Sequence, residues 1–262
     1  MQSSHVQSLF GVRILITRPD AENHLLSEKL HVLGAVTVEL PTIEILPPVD
    51  SWFQDHYIQE LSKYDWVIFT SVNGVRFFGI RLAALGKPEE GRREVKVAAI
   101  GSSTAAELKK LGEKVDYLPD EFLSEKIIQG LGDINGKRIL LPRADIASPK
   151  LPELLRKHGA IVDEIVAYRT VIPDGLSWER VQRILNQGLD VVTFTSPSTV
   201  RNLAEVAGAH RLEESLKGVK VACIGPVTAE ATKELGIHVD IVAQIHTIDG
   251  LVEAIVNEIR NV

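Results

Sequence analysis

Apolar and polar positions along this chain follow two alternating periods. Short β-branched runs give way to stretches with apolar residues at helical spacing, and the pair recurs throughout. The first run, Val12-Arg-Ile-Leu-Ile-Thr17, reads as a strand ending at Arg18-Pro19-Asp20, where proline and an acidic residue open a helix. Leu25, Leu26, Leu30 and Leu33 then share one helical face, and Gly34 closes it. The stretch Gly34 to Pro47 reads as a long strand. Its counterpart 125 residues later is Gly159 to Pro173, which alternates over a longer span than most strands and can leave one compact body and enter another. Its alternation places Val166, Tyr168 and Thr170 on one face.

The same offset organises the rest of the chain. Ile139-Leu-Leu-Pro142 ends in Arg143 as the first strand ends in Arg18, and a helix through Leu151, Leu154 and Leu155 closes at Gly159. Phe69-Thr-Ser71 and Phe194-Thr-Ser196 each lead into a helix, Val72 to Leu85 and Pro197 to Ala207. Ile100-Gly101 and Ile224-Gly225 open helices that end at Gly112 and Gly236. Short strands, 115–118 and 239–242, and last helices, Ser124 to Leu131 and Ile248 to Ile259, complete each copy. The unit is written twice. Strands alternating with helices imply parallel sheets covered on both faces, so the expected class is α/β with two similar doubly wound domains. Taken alone, the repeat gives two sequential domains.

Composition changes this picture little. The chain of 262 residues with 45% apolar content can bury a core in each of two domains. Its single cysteine, Cys223, sits in an apolar run and reads as a core residue, which excludes a disulfide framework. Net charge is −6, against a dedicated nucleic-acid binder. The opening Met1-Gln-Ser-Ser-His-Val-Gln-Ser8 lacks the basic start and apolar core of a leader, and no apolar run reaches bilayer length. The expectation is a cytoplasmic monomer with a small-molecule substrate and neither nucleic acid nor membrane as partner.

In open α/β sheets, ligands bind beyond the carboxyl ends of the strands, where helix starts present N–H groups without intrahelical partners. The residues predicted there are Arg18, Arg143, Ser71, Asn73, Ser102, Ser103, Thr104, Ser196, Ser198 and Thr228. Hydroxyls, glycines and amides at helix starts hold carboxylates or phosphates. Each serine or threonine is equally what an N-cap requires, and Arg18 and Arg143 are also explained by pairing with Asp20 and Asp145. No dinucleotide fingerprint, P-loop, nucleophile elbow or His/Cys metal cluster occurs, so neither cofactor nor metal is expected and an enzyme with this sequence works mainly by holding its substrate. Tyr168 stands apart: a phenol beside a cleft can assist a leaving hydroxyl, whereas the plainer role is a packed aromatic with its hydroxyl at the surface.

From Ile14 to about Ile259 the chain resembles the uroporphyrinogen-III synthase family, on Ile14-Leu-Ile-Thr-Arg18-Pro, Phe69-Thr-Ser-Val-Asn73-Gly74-Val75, Ala99-Ile-Gly-Ser-Ser-Thr104-Ala, Ile165-Val-Ala-Tyr168-Arg-Thr170, Phe194-Thr-Ser-Pro-Ser198-Thr-Val and Ile224-Gly-Pro-Val-Thr228-Ala. The resemblance implies two flavodoxin-like domains, 1–37 plus 174–262 and 41–170, joined by a two-stranded β hinge at 34–47 and 160–173. It implies a lyase without cofactor that closes the linear tetrapyrrole hydroxymethylbilane with inversion of ring D through a spiro intermediate and loss of water, on the route to heme, siroheme or cobalamin. The substrate's carboxylates would lie in the interdomain cleft on amides and hydroxyls, with Tyr168 at the family's cleft tyrosine. Ser71, Thr104, Ser196 and Thr228 match cleft positions. The alternative is a non-catalytic two-lobed binding protein for an anionic metabolite. A sugar- or nucleotide-processing enzyme would need a donor site that the sequence lacks.

Overall fold

The structure, a computed structural model, describes residues 8–18, 20–86, 95–119 and 124–260. The helix-opening Pro19 and residues 1–7 of the opening segment lie outside the described residues. The chain begins with β1 (Arg13–Ile16), α1 (Asp20–Val32) and β2 (Val36–Glu39), then β3 (Glu44–Leu46), α2 (Ser51–Gln59), β4 (Trp66–Phe69), α3 (Val72–Ala84), β5 (Lys96–Ala99) and α4 (Ser102–Lys110). It continues with α5 (Ser124–Leu131), β6 (Arg138–Ala144), α6 (Lys150–Lys157) and β7 (Ile161–Val171). The remainder is α7 (Trp178–Leu185), β8 (Val191–Phe194), α8 (Pro197–Ala207), α9 (Ala209–Ser215), β9 (Lys220–Cys223), α10 (Pro226–Glu234), β10 (Ile241–Val242) and α11 (Ile248–Arg260).

Two compact units form, one from 1–44 with 171–262 and the other from 45–170. The repeat does not fold as two sequential copies. Ile14 pairs with Val191, and Trp66, which stands 125 residues before Val191, pairs with Ile139. Each sheet therefore takes its first two strand types from one copy and its later ones from the other. The first unit's sheet runs β2-β1-β8-β9-β10 and is parallel throughout, which in chain order is the flavodoxin-like 2-1-3-4-5. The second unit's sheet runs β3-β7-β6-β4-β5, with the pairs from β7 to β5 parallel.

Strand alternation builds a core on each face. In the first unit Ile14, Ile16 and Val191 pack with Leu26, Leu30, Leu251 and Ile255, while Leu15, Val192 and Phe194 pack with Val181, Val200 and Leu203 on the other side. In the second, Val67 and Phe69 meet Phe78, Leu82 and Leu108, and Trp66 and Ile68 meet Ile127, Leu131 and Leu155. Cys223 is fully buried, and burial pushes its thiol pKa up. Leu26 and Leu30 are buried as the helical spacing predicts, but Leu25 is 53% exposed, so the apolar stripe is narrower than its leucines suggest.

Three further expectations are corrected. The stretch 34–47 is not one strand: Leu40 N–H closes the β1–β2 ladder on Ile16 O (2.9 Å), Pro41 has no N–H to continue it, and β3 starts in the other sheet. Thr42 holds the turn, donating from its buried hydroxyl to Thr17 O (3.2 Å) and Thr199 O (2.9 Å). The predicted strand 115–118 reduces to one bridge, Ala98 to Tyr117, beside which the Asp116 carboxylate accepts the Val97 N–H (2.9 Å). Finally, Val166 and Tyr168 do not share a face. The β6–β7 register slips between Arg143, which faces Val166, and Ala144, which faces Tyr168. Ala167 is the extra residue of the bulge, and it and Tyr168 are buried where Val166 is exposed.

Between α3 and α4, Arg76 Nε donates to Glu107 Oε1 (2.6 Å), and this hydrogen bond holds the Glu107 carboxyl below the usual carboxylate range. A native pKa below the unfolded one stabilises the fold above the ordinary glutamate value and ceases to as pH falls through the native value. Arg76→Met is therefore expected to be less stable than wild type at pH 7, with the gap in urea midpoint shrinking as the pH is lowered from 5 towards 3; a constant gap contradicts the assignment. A second test concerns Gly250, where a Cβ would lie 2.0 Å from Ile245 O. Backbone must move to admit it, so Gly250→Ala is expected to cost about 1–3 kcal/mol, read as a lowered thermal midpoint.

Candidate functional site

Both carboxyl edges are built from the same local chemistry. Ser71 adopts extended backbone as the N-cap of α3, and its Oγ accepts the Gly74 N–H (3.0 Å). Ser196 is the N-cap of α8, where Thr199 Oγ1 donates to Ser196 O (2.6 Å) and accepts its N–H (3.4 Å). Gly101 and Gly225 are the N-caps of α4 and α10. Gly101 has φ +104°, which favours glycine, whereas Gly225 is extended and a Cβ there would meet the His246 ring at 3.1 Å. The first intrahelical bonds run from Ala105 N to Gly101 O and from Ala229 N to Gly225 O (both 3.0 Å), so the amides of Ser102, Ser103 and Thr104 and of Val227 and Thr228 precede the helical ladders.

The predicted residues fall into distinct environments. Ser102 and Ser103 are exposed in the first turn of α4, whereas Thr104 and its counterpart Thr228 are buried. Asn73 and Ser198 are half-buried in the first turns of α3 and α8, and Arg18 is half-buried just past β1. Arg143 departs from its expected surroundings. It is buried, its Nη1 donates to Glu164 Oε2 (2.9 Å) rather than pairing with Asp145, and its Nη2 donates to Ser148 O.

Tyr168 and Ser71 are brought together in the second unit. The Tyr168 hydroxyl donates to Ser71 Oγ (3.1 Å), and its ring stacks on Phe77 of α3 with centroids 5.9 Å apart. Its side chain is largely buried, a packed aromatic whose hydroxyl is held by Ser71. One serine thus serves as helix cap and phenol partner. A Cβ at Gly74 would lie 3.0 Å from Pro142 O and 3.1 Å from Ser71 Oγ, so glycine lets the start of α3 approach β6. In the first unit Thr42 makes the corresponding link to α8 through Thr199 O, and Asn202 Nδ2 donates to Thr42 O (2.8 Å). Sequence reading missed Phe77, Thr42 and Asn202. Pro41 before Thr42 was the available signal for the turn; the other two carry no local mark.

Fold and site together define a duplicated, doubly wound α/β protein that presents hydroxyl-bearing helix starts at the carboxyl edge of each sheet. A sequence profile for uroporphyrinogen-III synthase HemD matches residues 25–253. The chain is 33% identical to the uroporphyrinogen-III synthase of Synechococcus elongatus over 95% of its own length and 96% of that protein's, and 32% identical to that of Chlorobaculum parvum over 88% and 92%. A crystal structure of a mutant uroporphyrinogen III synthase from Thermus thermophilus shares the fold at TM-score 0.72 and 22% identity, covering 96% of this chain and all of that one. One from Helicobacter pylori does so at TM-score 0.63 and 19% identity, covering 94% and 99%. The chain belongs to the uroporphyrinogen-III synthase family.

The caps and the exposed serines separate two roles. Ser71→Ala is expected to lose about 1 kcal/mol of stability through the α3 cap, whereas Ser103→Ala should stay within about 0.5 kcal/mol of wild type in urea denaturation. A turnover loss in Ser103→Ala at unchanged stability marks a substrate contact; unchanged turnover removes Ser103 from the site.

Proposed function

We propose that this protein cyclises hydroxymethylbilane to uroporphyrinogen III, with inversion of ring D and loss of water. Family membership over nearly the whole chain carries the reading, and the Tyr168–Ser71 pair at a carboxyl sheet edge gives it chemistry. In the proposed sequence the bond from the terminal methylene carbon to its hydroxyl breaks as the adjoining pyrrole nitrogen gives up its proton, so that water leaves, with the Tyr168 phenol turned from Ser71 Oγ to donate a hydrogen bond to the leaving oxygen. The azafulvene left behind is attacked by the substituted carbon of ring D, and the resulting spiro intermediate fragments and recloses to the inverted isomer. Closure without an enzyme gives the uninverted isomer, so product identity is decided by how the chain of rings is held. Ser102, Ser103, Thr104, Ser196, Ser198 and Thr228, with the amides that precede the α4 and α10 ladders, are the proposed carboxylate holders; Asn73 and Arg18 are proposed beside them. Arg143 is the weakest member, since both its terminal nitrogens already donate to Glu164 and Ser148.

Incubating the full chain with hydroxymethylbilane and separating the oxidised porphyrin isomers tests the reading. Type III product above the spontaneous background supports it, and background alone leaves a binding protein. Tyr168→Phe is expected to lower turnover by about 100-fold or more with the fold intact, and a wild-type rate removes Tyr168 from the mechanism.

A further inference from the structure

The bulge that moves Tyr168 off the face of Val166 is clamped from the neighbouring strand by a single residue. Asp145 stands directly after the slipped register, next to Ala144. Its backbone N–H donates to Tyr168 O (3.2 Å), and its Oδ1 accepts the Thr170 N–H (2.9 Å) and the Ile146 N–H (3.0 Å). Asp145 thus holds β7 on both sides of Arg169, immediately past the bulge at Ala167. The side chain of Tyr168 is fixed at two further points, its ring against Phe77 and its hydroxyl on Ser71. The bulge turns Tyr168 to this face, and Asp145 braces β7 on the C-terminal side of the bulge.

We infer that Asp145 is a positioning residue for the Tyr168 phenol, acting through the β7 backbone and touching no substrate. The inference rests on the proposed role of Tyr168. Loss of the Oδ1 acceptor frees the Thr170 amide and lets the bulge relax, and a shift of an ångström at a reacting group can cost up to about 100-fold in rate. Binding of the substrate's carboxylates, made elsewhere, is unaffected.

The test is a double-mutant cycle on the purified full chain, with kcat and KM for type III product and urea midpoints measured for wild type, Asp145→Ala, Tyr168→Phe and the double variant. Asp145→Ala is expected to lower kcat by about 10-fold with KM within about twofold, and to add less than about twofold when Tyr168 is already Phe. Asp145→Asn, which keeps an Oδ1 acceptor, is expected to restore kcat, while Asp145→Ser, with a shorter reach, falls between and serves in its place should the alanine variant not fold. An equal drop in both backgrounds, or failure of Asn to rescue, overturns the inference. A wild-type rate for Asp145→Ala beside a slow Tyr168→Phe sinks it alone. A wild-type rate for Tyr168→Phe sinks the reading beneath it as well.

Discussion

Backbone pairing between β1 and β8 is the constraint on which the remaining architecture depends. An interior parallel strand must satisfy its N–H and C=O groups on both sides, and β1 has β2 on one side and needs a second neighbour on the other. The repeat offers two almost equivalent candidates, β4 and β8, and the chain uses β8. Once β1 and β8 are joined, β4 takes β6 by the same logic, and the segment between must leave one sheet and return. The departure lies at Leu40-Pro41-Thr42, where a closed ladder, a residue without N–H and a hydroxyl with two backbone acceptors meet.

That exchange keeps the carboxyl edges alike. Each has a strand end tied to the helix that follows the next strand: Thr42 to α8 in one unit, Tyr168 to α3 in the other. The two ties differ in kind. Thr42 is fully buried and its hydroxyl is directed at backbone carbonyls, a structural use of a hydroxyl. Tyr168 brings a larger and more acidic group to the same position, bonded to a side chain that has its own capping duty. Duplication therefore supplied two equivalent edges, and divergence at one tie made them chemically unequal.

The serines and threonines show why capping and binding are not exclusive. An N-cap hydroxyl satisfies one amide of a helix start and leaves the dipole and the other early amides in place. Ser71 and Ser196 stand at such caps, whereas Ser102 and Ser103 lie one step further in, exposed, behind a glycine cap with φ +104°. Glycine at that cap leaves the first turn of α4 uncovered by any capping side chain.

The sequence by itself determined most of the elements and their order, the duplication and the family, because strand and helix periodicity and helix-ending glycines are local and act within a few residues; α2, α7 and α9 escaped that reading. It also placed Ser71, Ser196, Thr104 and Thr228 at helix starts. Three things are not carried by the local pattern of residues, and the first of them was implied by the family resemblance alone. Which copy's strands share a sheet depends on contacts more than a hundred residues apart, and the near-identical edges of β4 and β8 carry no local label. The face of Tyr168 depends on a bulge at Ala167, which shifts a period-2 pattern without leaving a glycine or proline to mark it. The partner of Arg143 is Glu164 on the adjacent strand and not the nearby Asp145, whose oxygen is already taken by backbone amides. In each case the deciding hydrogen bond is made by groups that meet only after the sheet has formed.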